Sequence, residues 1–142
     1  EEAIRLGLMS DVTITGFLPM DEAWKLVKQA DICFSPIYPS PVFLPASPTK
    51  LSEYMAMGKC VVANELPEQC QVMEDSGIGR CVEWDEKAFA DAVFYLLEDP
   101  ERAKNMAAKG PDWVRKNRTY DVIADLVESE YEKILGKAIC PT

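Results

Sequence analysis

Apolar residues along this chain alternate between two rhythms, short continuous runs and longer stretches with helical spacing. Val12-Thr13-Ile14-Thr15 is rich in β-branched residues and stopped by Gly16, which predicts a strand. Ile32-Cys33-Phe34 and Cys60-Val61-Val62-Ala63 are apolar throughout, and Arg80-Cys81-Val82 is a shorter run of the same kind. Residues 2–8 read as the tail of a helix, with Gly7 near its end. Asp21 and Glu22 open another helix, along which Ala23, Leu26, Val27 and Ala30 recur at helical intervals. Further helices are predicted over 51–57 and over 67–75, the second ended by Gly77 and Gly79. Over 85–97, Ala88, Phe89, Ala92, Val93, Leu96 and Leu97 share one face. A helix from Pro100 to about Lys109 has Asp99 as its N-cap and Pro100 at the first position. Gly110-Pro111 interrupts it, a helical piece carries Trp113 and Val114, and the last helix runs over 121–135 with Gly136 as its C-cap.

Strands that are apolar along their whole length and separated by helices belong in a parallel sheet covered on both faces. The predicted class is therefore α/β, a Rossmann-like three-layer α/β/α arrangement. One domain is expected over 1–135, with a tail at 136–142. In such sheets ligands bind at the carboxyl ends of the strands.

Composition narrows the function. The net charge of −9 removes nucleic acid as a partner, because backbone neutralisation needs clustered Lys and Arg. No run reaches the about 18–20 apolar residues of a membrane span. The chain opens on Glu1 inside a helical pattern, so it reads as an excised domain. Its five cysteines are odd in number and contain no CxxC pair. They read as thiols, Cys33, Cys60 and Cys81 within or beside apolar runs, and a reducing, cytoplasmic location follows. The absence of histidine excludes Ser/His and Cys/His catalysis within the chain and argues against a transition metal.

The candidate chemistry sits where a proline-rich loop meets a helix. Residues 36–48 contain five prolines. Ser47 suits an N-cap and Pro48 a first helical position. The amides of Thr49, Lys50 and Leu51 then point out of the helix end, where the dipole favours an anion. The Thr49 hydroxyl and the Lys50 ammonium add to a phosphate site. Glu53 lies three residues beyond Lys50 on the same face, and helical side chains lean toward the N-terminus. A carboxylate there would accept both hydroxyls of a ribose diol, so phosphate and diol sites side by side outline a nucleotide diphosphate. The plainer reading is an exposed Glu53–Lys50 ion pair of little energetic value.

At these residues a family resemblance becomes specific. SPTKLSEYMAMGKCVVAN at 47–64 resembles the core of the large retaining glycosyltransferase family called family 4 or group 1. DVTITGFLPMDE at 11–22, QADICFSP at 29–36, SGIG at 76–79 and the closing helices over 113–135 resemble its other segments in order. The resemblance spans about residues 1–135. It implies the GT-B architecture, two Rossmann-like domains around a cleft, with this chain as the C-terminal donor-binding one. The first strand, its glycine-containing loop and the basic pair the family places there are missing, as is the N-terminal acceptor domain.

The implied activity is retaining transfer of a sugar from a nucleotide-diphosphate donor to an acceptor hydroxyl, of hexosyltransferase type (EC 2.4), with no metal and no further cofactor. The implied partners are a nucleotide sugar, the protein's own N-terminal domain, and a lipid or glycan acceptor. The implied location is cytoplasmic, peripheral to a membrane in the full-length protein, and the fragment alone is expected to be inactive. Carried over by position, Glu53 matches the second glutamate of the family's E-x7-E pattern and binds the ribose. Thr49, Lys50 and Leu51 match the diphosphate positions, and Gly16 and Phe17 the turn beside the base. The first glutamate falls at Pro45, so the sugar-reading acid is missing, and no catalytic residue is assigned. Two other readings stay open: a nucleotide-binding module without chemistry, and a sugar-nucleotide epimerase of the same architecture.

Tyr38 and Phe43 in the proline-rich loop are candidates for contact with the donor sugar or a hydrophobic acceptor. Trp24, Trp113, Met55 and Met57 read as packing residues, Trp84 as a cover for a sheet edge, and Glu128, Glu130 and Glu132 as solvated.

Overall fold

A computed structural model of the chain describes residues 1–136. The tail beyond Gly136, Cys140 included, lies outside the described residues. Three of the four predicted strands form: β1 (Ile32–Ser35), β2 (Cys60–Asn64) and β3 (Gly79–Val82). They are parallel in the order β1-β2-β3, with Ile32 opposite Cys60 and Val61 opposite Gly79. Every residue of the central strand β2 is buried, as a strand covered on both faces must be.

Eight helices accompany the sheet among the described residues: α1 (Glu2–Arg5), α2 (Met20–Gln29), α3 (Thr49–Ala56), α4 (Pro67–Ser76), α5 (Glu86–Leu97), α6 (Pro100–Ala107), α7 (Gly110–Asn117) and α8 (Tyr120–Leu135). Strand alternation divides the core in two. Val61 and Ala63 pack with Leu51 and Met55 of α3 and with Val72 and Met73 of α4; Trp113 and Val114 of α7 lie alongside. Cys60 and Val62 pack with Ala92 and Leu96 of α5 and Ala107 of α6. Burying Val61 and Val62 completely contributes about 1.5–3 kcal/mol each. The result is the three-layer α/β/α arrangement that the apolar runs predicted.

The helix ends follow their sequence signals. The Asp85 carboxylate accepts the Ala88 amide at 2.8 Å, and Asp99 accepts that of Arg102 at 3.0 Å. Gly136 ends α8 in the left-handed conformation. Lys59 does something its sequence position did not announce. Its ammonium donates to the carbonyls of Lys28 and Ala30 at 2.6 and 3.0 Å, covering the C-terminal end of α2.

Two expectations are corrected. The predicted strand at Val12–Thr15 does not form: Ile14 is 78% exposed, and the segment pairs with no strand among the described residues. A run of β-branched residues fits a pleated, half-buried surface, and none is offered to it here. The cysteines are not all thiols either. Cys70 on α4 and Cys81 on β3 form a disulfide, with Cα atoms 5.3 Å apart. The turn through Gly77 and Gly79 folds β3 back along α4, which brings together two cysteines that no motif in the sequence paired. The bond takes away the thiol argument for a reducing compartment. Cys33 and Cys60 remain free and buried.

Candidate functional site

All three βα connections of the parallel sheet open at the carboxyl ends of its strands, and the N-terminus of α3 lies at that end. The start of α3 differs from the expected cap. Pro48 is the N-cap, no side chain caps the helix, and Thr49 is its first residue. Ser47 turns outward and donates its hydroxyl to Glu68 at 3.3 Å. The Leu51 amide donates to the Pro48 carbonyl at 3.1 Å, and its side chain is 2% exposed in the core. Leu51 is therefore already engaged through both backbone and side chain. The amides of Thr49 and Lys50 donate to no acceptor among the described residues.

Charge separates this helix end from the others. Each of the other described helices carries an acidic residue in its first turn, from Glu2 of α1 to Asp121 of α8. The first turn of α3 carries none and holds Lys50 instead. Burial holds the Lys50 ammonium below the usual lysine pKa range, and no carboxylate among the described residues pairs with it. A half-buried, unpaired cation beside two free amides is a site that an anion would stabilise. Thr49 and Glu53 are both exposed at the same end of the helix.

Thr49 and Lys50 lie in the first turn of α3 with Glu53 one turn further on, and Leu51 has a packing role. Gly16 and Phe17 lie outside α3, in the segment that leads into α2. Gly16 has φ +65° with open space around it, and the Phe17 ring is 97% exposed. Tyr38, 65% exposed, packs edge-on against Trp84 with ring centres 6.0 Å apart. Phe43 is exposed. An open recess of about 410 Å³ lined by Phe34, Pro36, Trp84 and Phe89 lies at the same end of the sheet, on the side of α5. A larger cavity of about 600 Å³ includes Asp31, Ile32, Gly58 and Lys59. It opens at the amino ends of β1 and β2, the end opposite to that used for ligands in sheets of this class.

Sequence reasoning missed a buried polar network behind the site. Ser35, Asn64 and Gln69 are fully buried. The Ser35 hydroxyl donates to Gln69 Oε1 at 2.5 Å, and Gln69 Nε2 donates to the Asn64 carbonyl at 3.0 Å. Asn64 Oδ1 accepts the Ile37 amide at 2.7 Å while its Nδ2 donates to the Ile37 carbonyl at 2.8 Å. An amide at the end of an apolar strand, followed by another in the first turn of the next helix, was the available signal. Among the described residues no three His, Cys, Asp or Glu side chains are grouped to hold a metal ion. No helix among them is long and apolar enough to cross a membrane.

Comparison with known proteins agrees with the fold. The family model described as glycosyl transferases, group 1, matches residues 1–99. Sucrose-phosphate synthase from Thermosynechococcus elongatus is similar with a TM-score of 0.79 at 22% identity, over 95% of this chain and 33% of that one. WaaG, a glycosyltransferase involved in lipopolysaccharide biosynthesis, is similar with a TM-score of 0.71 at 16% identity, over 89% of this chain and 33% of that one. The chain spans about a third of the length of these two structures. No curated protein matches it.

Proposed function

The chain belongs to the group 1 glycosyl transferases, and from that premise we propose that it binds the nucleotide-diphosphate end of a sugar donor and serves retaining transfer of the sugar to an acceptor hydroxyl. The observation that carries the reading is the N-terminus of α3. It is the one described helix whose first turn has no acid, and it pairs free amides with a half-buried lysine. The Thr49 and Lys50 amides, the Thr49 hydroxyl and the Lys50 ammonium would meet the diphosphate. They would stabilise it as charge develops on departure from the sugar, which is where preorganised donors contribute most. Glu53, exposed on the same helix, would accept the ribose diol. Pro45 supplies no acid toward the sugar, so sugar identity and the acceptor are read elsewhere in the full-length protein.

The test is a thermal-shift screen of UDP-, GDP- and ADP-sugars. A ligand at a hundredfold excess over Kd should stabilise the domain by about 2.7 kcal/mol. Glu53→Ala should weaken the ligand found by about one to two orders of magnitude, as expected when hydrogen bonds to a charged group are lost. Unchanged affinity in that variant, or no response to any of the donors, would refute the reading. Release of free nucleotide with epimerised sugar in the absence of an acceptor would identify an epimerase instead.

A further inference from the structure

Three successive residues in the first turn of α4 each reach a different part of the molecule. Glu68 accepts the Arg118 guanidinium, from the C-cap of α7, at 2.5 Å and the Ser47 hydroxyl on the same oxygen. Gln69 joins Ser35 of β1 to Asn64 of β2. Cys70 is bonded to Cys81 of β3. Two of these ties act on the loop that delivers α3. At the loop's start, Asn64 holds both the amide and the carbonyl of Ile37, as a neighbouring strand would, and Gln69 fixes Asn64. At its far end Glu68 holds Ser47, two residues before Thr49.

We propose that Gln69 is a positioning residue for the nucleotide end, setting through Asn64 the path of the 36–48 loop and so the aim of the Thr49 and Lys50 amides. The inference rests on the donor-binding reading above. Its physical basis is that buried polar groups add little net stability compared with apolar packing, yet fix one geometry when every partner is satisfied. This network lies at the carboxyl ends of β1 and β2, the end at which sheets of this class bind ligands. Gln69 needs no contact with the ligand. It acts through Asn64 and Ile37, and the satisfied amides leave the loop one register.

The experiment compares the parent chain with Gln69→Leu and with the milder Ser35→Ala, which removes only the hydroxyl partner. Two readouts are used: UDP, GDP and ADP affinity by calorimetry, and backbone amide resonances. In Gln69→Leu the affinity should fall about tenfold while the fold is retained by circular dichroism, the loss of roughly one hydrogen bond's worth of alignment. Ser35→Ala should lose severalfold and supplies the answer if Gln69→Leu fails to fold. In either variant the Ile37, Thr49 and Lys50 amide resonances should move, although none of those residues is altered. A merely structural role would lower stability and leave the Thr49 and Lys50 resonances in place; that result, or affinity within twofold of the parent, overturns the inference. If the parent binds none of UDP, GDP and ADP, the donor reading falls, and the amide shifts still decide whether Gln69 positions the helix end.

Discussion

Breaking the Cys70–Cys81 bond should weaken the domain through its unfolded state. The two cysteines are 11 residues apart in sequence. Closing a loop of that length removes chain entropy from the unfolded ensemble worth about 3 kcal/mol at room temperature. The native side should change little, because Val72, Met73 and Ile78 hold the α4–β3 connection in the core without the bond. The perturbation is Cys81→Ser, run beside the parent protein with and without a dithiol reductant. The assay is urea unfolding followed by circular dichroism. For a domain of this size a loss of about 3 kcal/mol moves the midpoint down by roughly 1–2 M urea. The reduced parent and Cys81→Ser should coincide, and reductant should have no further effect on the variant. A midpoint in the parent that ignores reductant, or peptide mapping that finds Cys70 and Cys81 as free thiols in the native oxidised protein, refutes the reasoning.

Other consequences are open to measurement. Lys50→Met should raise the stability of the ligand-free domain and weaken nucleotide binding by about ten- to a hundredfold, since it removes both a half-buried charge and a charged hydrogen-bond donor. Burial lowers the pKa of Lys50 in the folded state, so its unfavourable effect on stability is fully present below that pKa and fades as pH rises toward the ordinary lysine value. Denaturant titrations across that alkaline window should show parent stability gaining on the variant; parallel curves would exclude the effect. Burial pushes the Cys60 thiol up to about 11 and raises that of Cys33, so neither should react with iodoacetamide at pH 8 in the native state. Rapid labelling of either, read by peptide mass mapping, would contradict the core described. Gly110→Ala should destabilise by about 1–3 kcal/mol, because a β-carbon there would lie 2.3 Å from the Met55 carbonyl oxygen, a backbone atom that cannot swing aside. A neutral thermal shift would mean that α3 and α7 pack less closely than they do here.

How legible each feature was depends on the range of the interaction behind it. The helices α5, α6 and α8 and the caps at Asp99 and Gly136 were written locally, in residues three or four apart. The covered parallel sheet followed from apolar runs, since strands apolar throughout are those covered on both faces. Features that depend on a distant partner were not legible. Val12–Thr15 has strand residues but no neighbouring strand among the described residues. Ser47 has a cap's chemistry, yet Glu68, 21 residues on, takes its hydroxyl. Gly110 reads as a helix breaker, whereas it is a contact glycine buried against α3. Cys70 and Cys81 carry no spacing rule that marks a pair. Within the candidate site, the start of α3 near Thr49 was readable because the proline loop and the helical pattern mark it locally. The Ser35–Asn64–Gln69 network behind it was not, because its members come from three elements.

A net charge of −9 would seem to set this chain against a diphosphate, and the distances involved resolve the conflict. At physiological ionic strength exposed charges are largely screened beyond about 8 Å, so most acids of the other helices contribute little at the start of α3; the near one, Glu68 beside Ser47, is paired with Arg118. What an anion meets there is local. The helix end presents roughly half a positive charge, which falls off within one turn, together with one full charge on Lys50 in a partly desolvated position. Glu53 is the one nearby opponent on the helix, and its carboxylate is one turn deeper than the free amides. A ligand that is anionic only at one end, and hydroxyl-bearing where it meets Glu53, turns that opposition into a bond. Inorganic phosphate has no such second end. The same turn of helix should therefore favour a nucleotide diphosphate over inorganic pyrophosphate, and Glu53→Gln should narrow that preference by weakening the nucleotide more than the pyrophosphate. Competition calorimetry measures both affinities. A preference unchanged by the substitution would separate Glu53 from the ribose and leave only the phosphate half of the site standing.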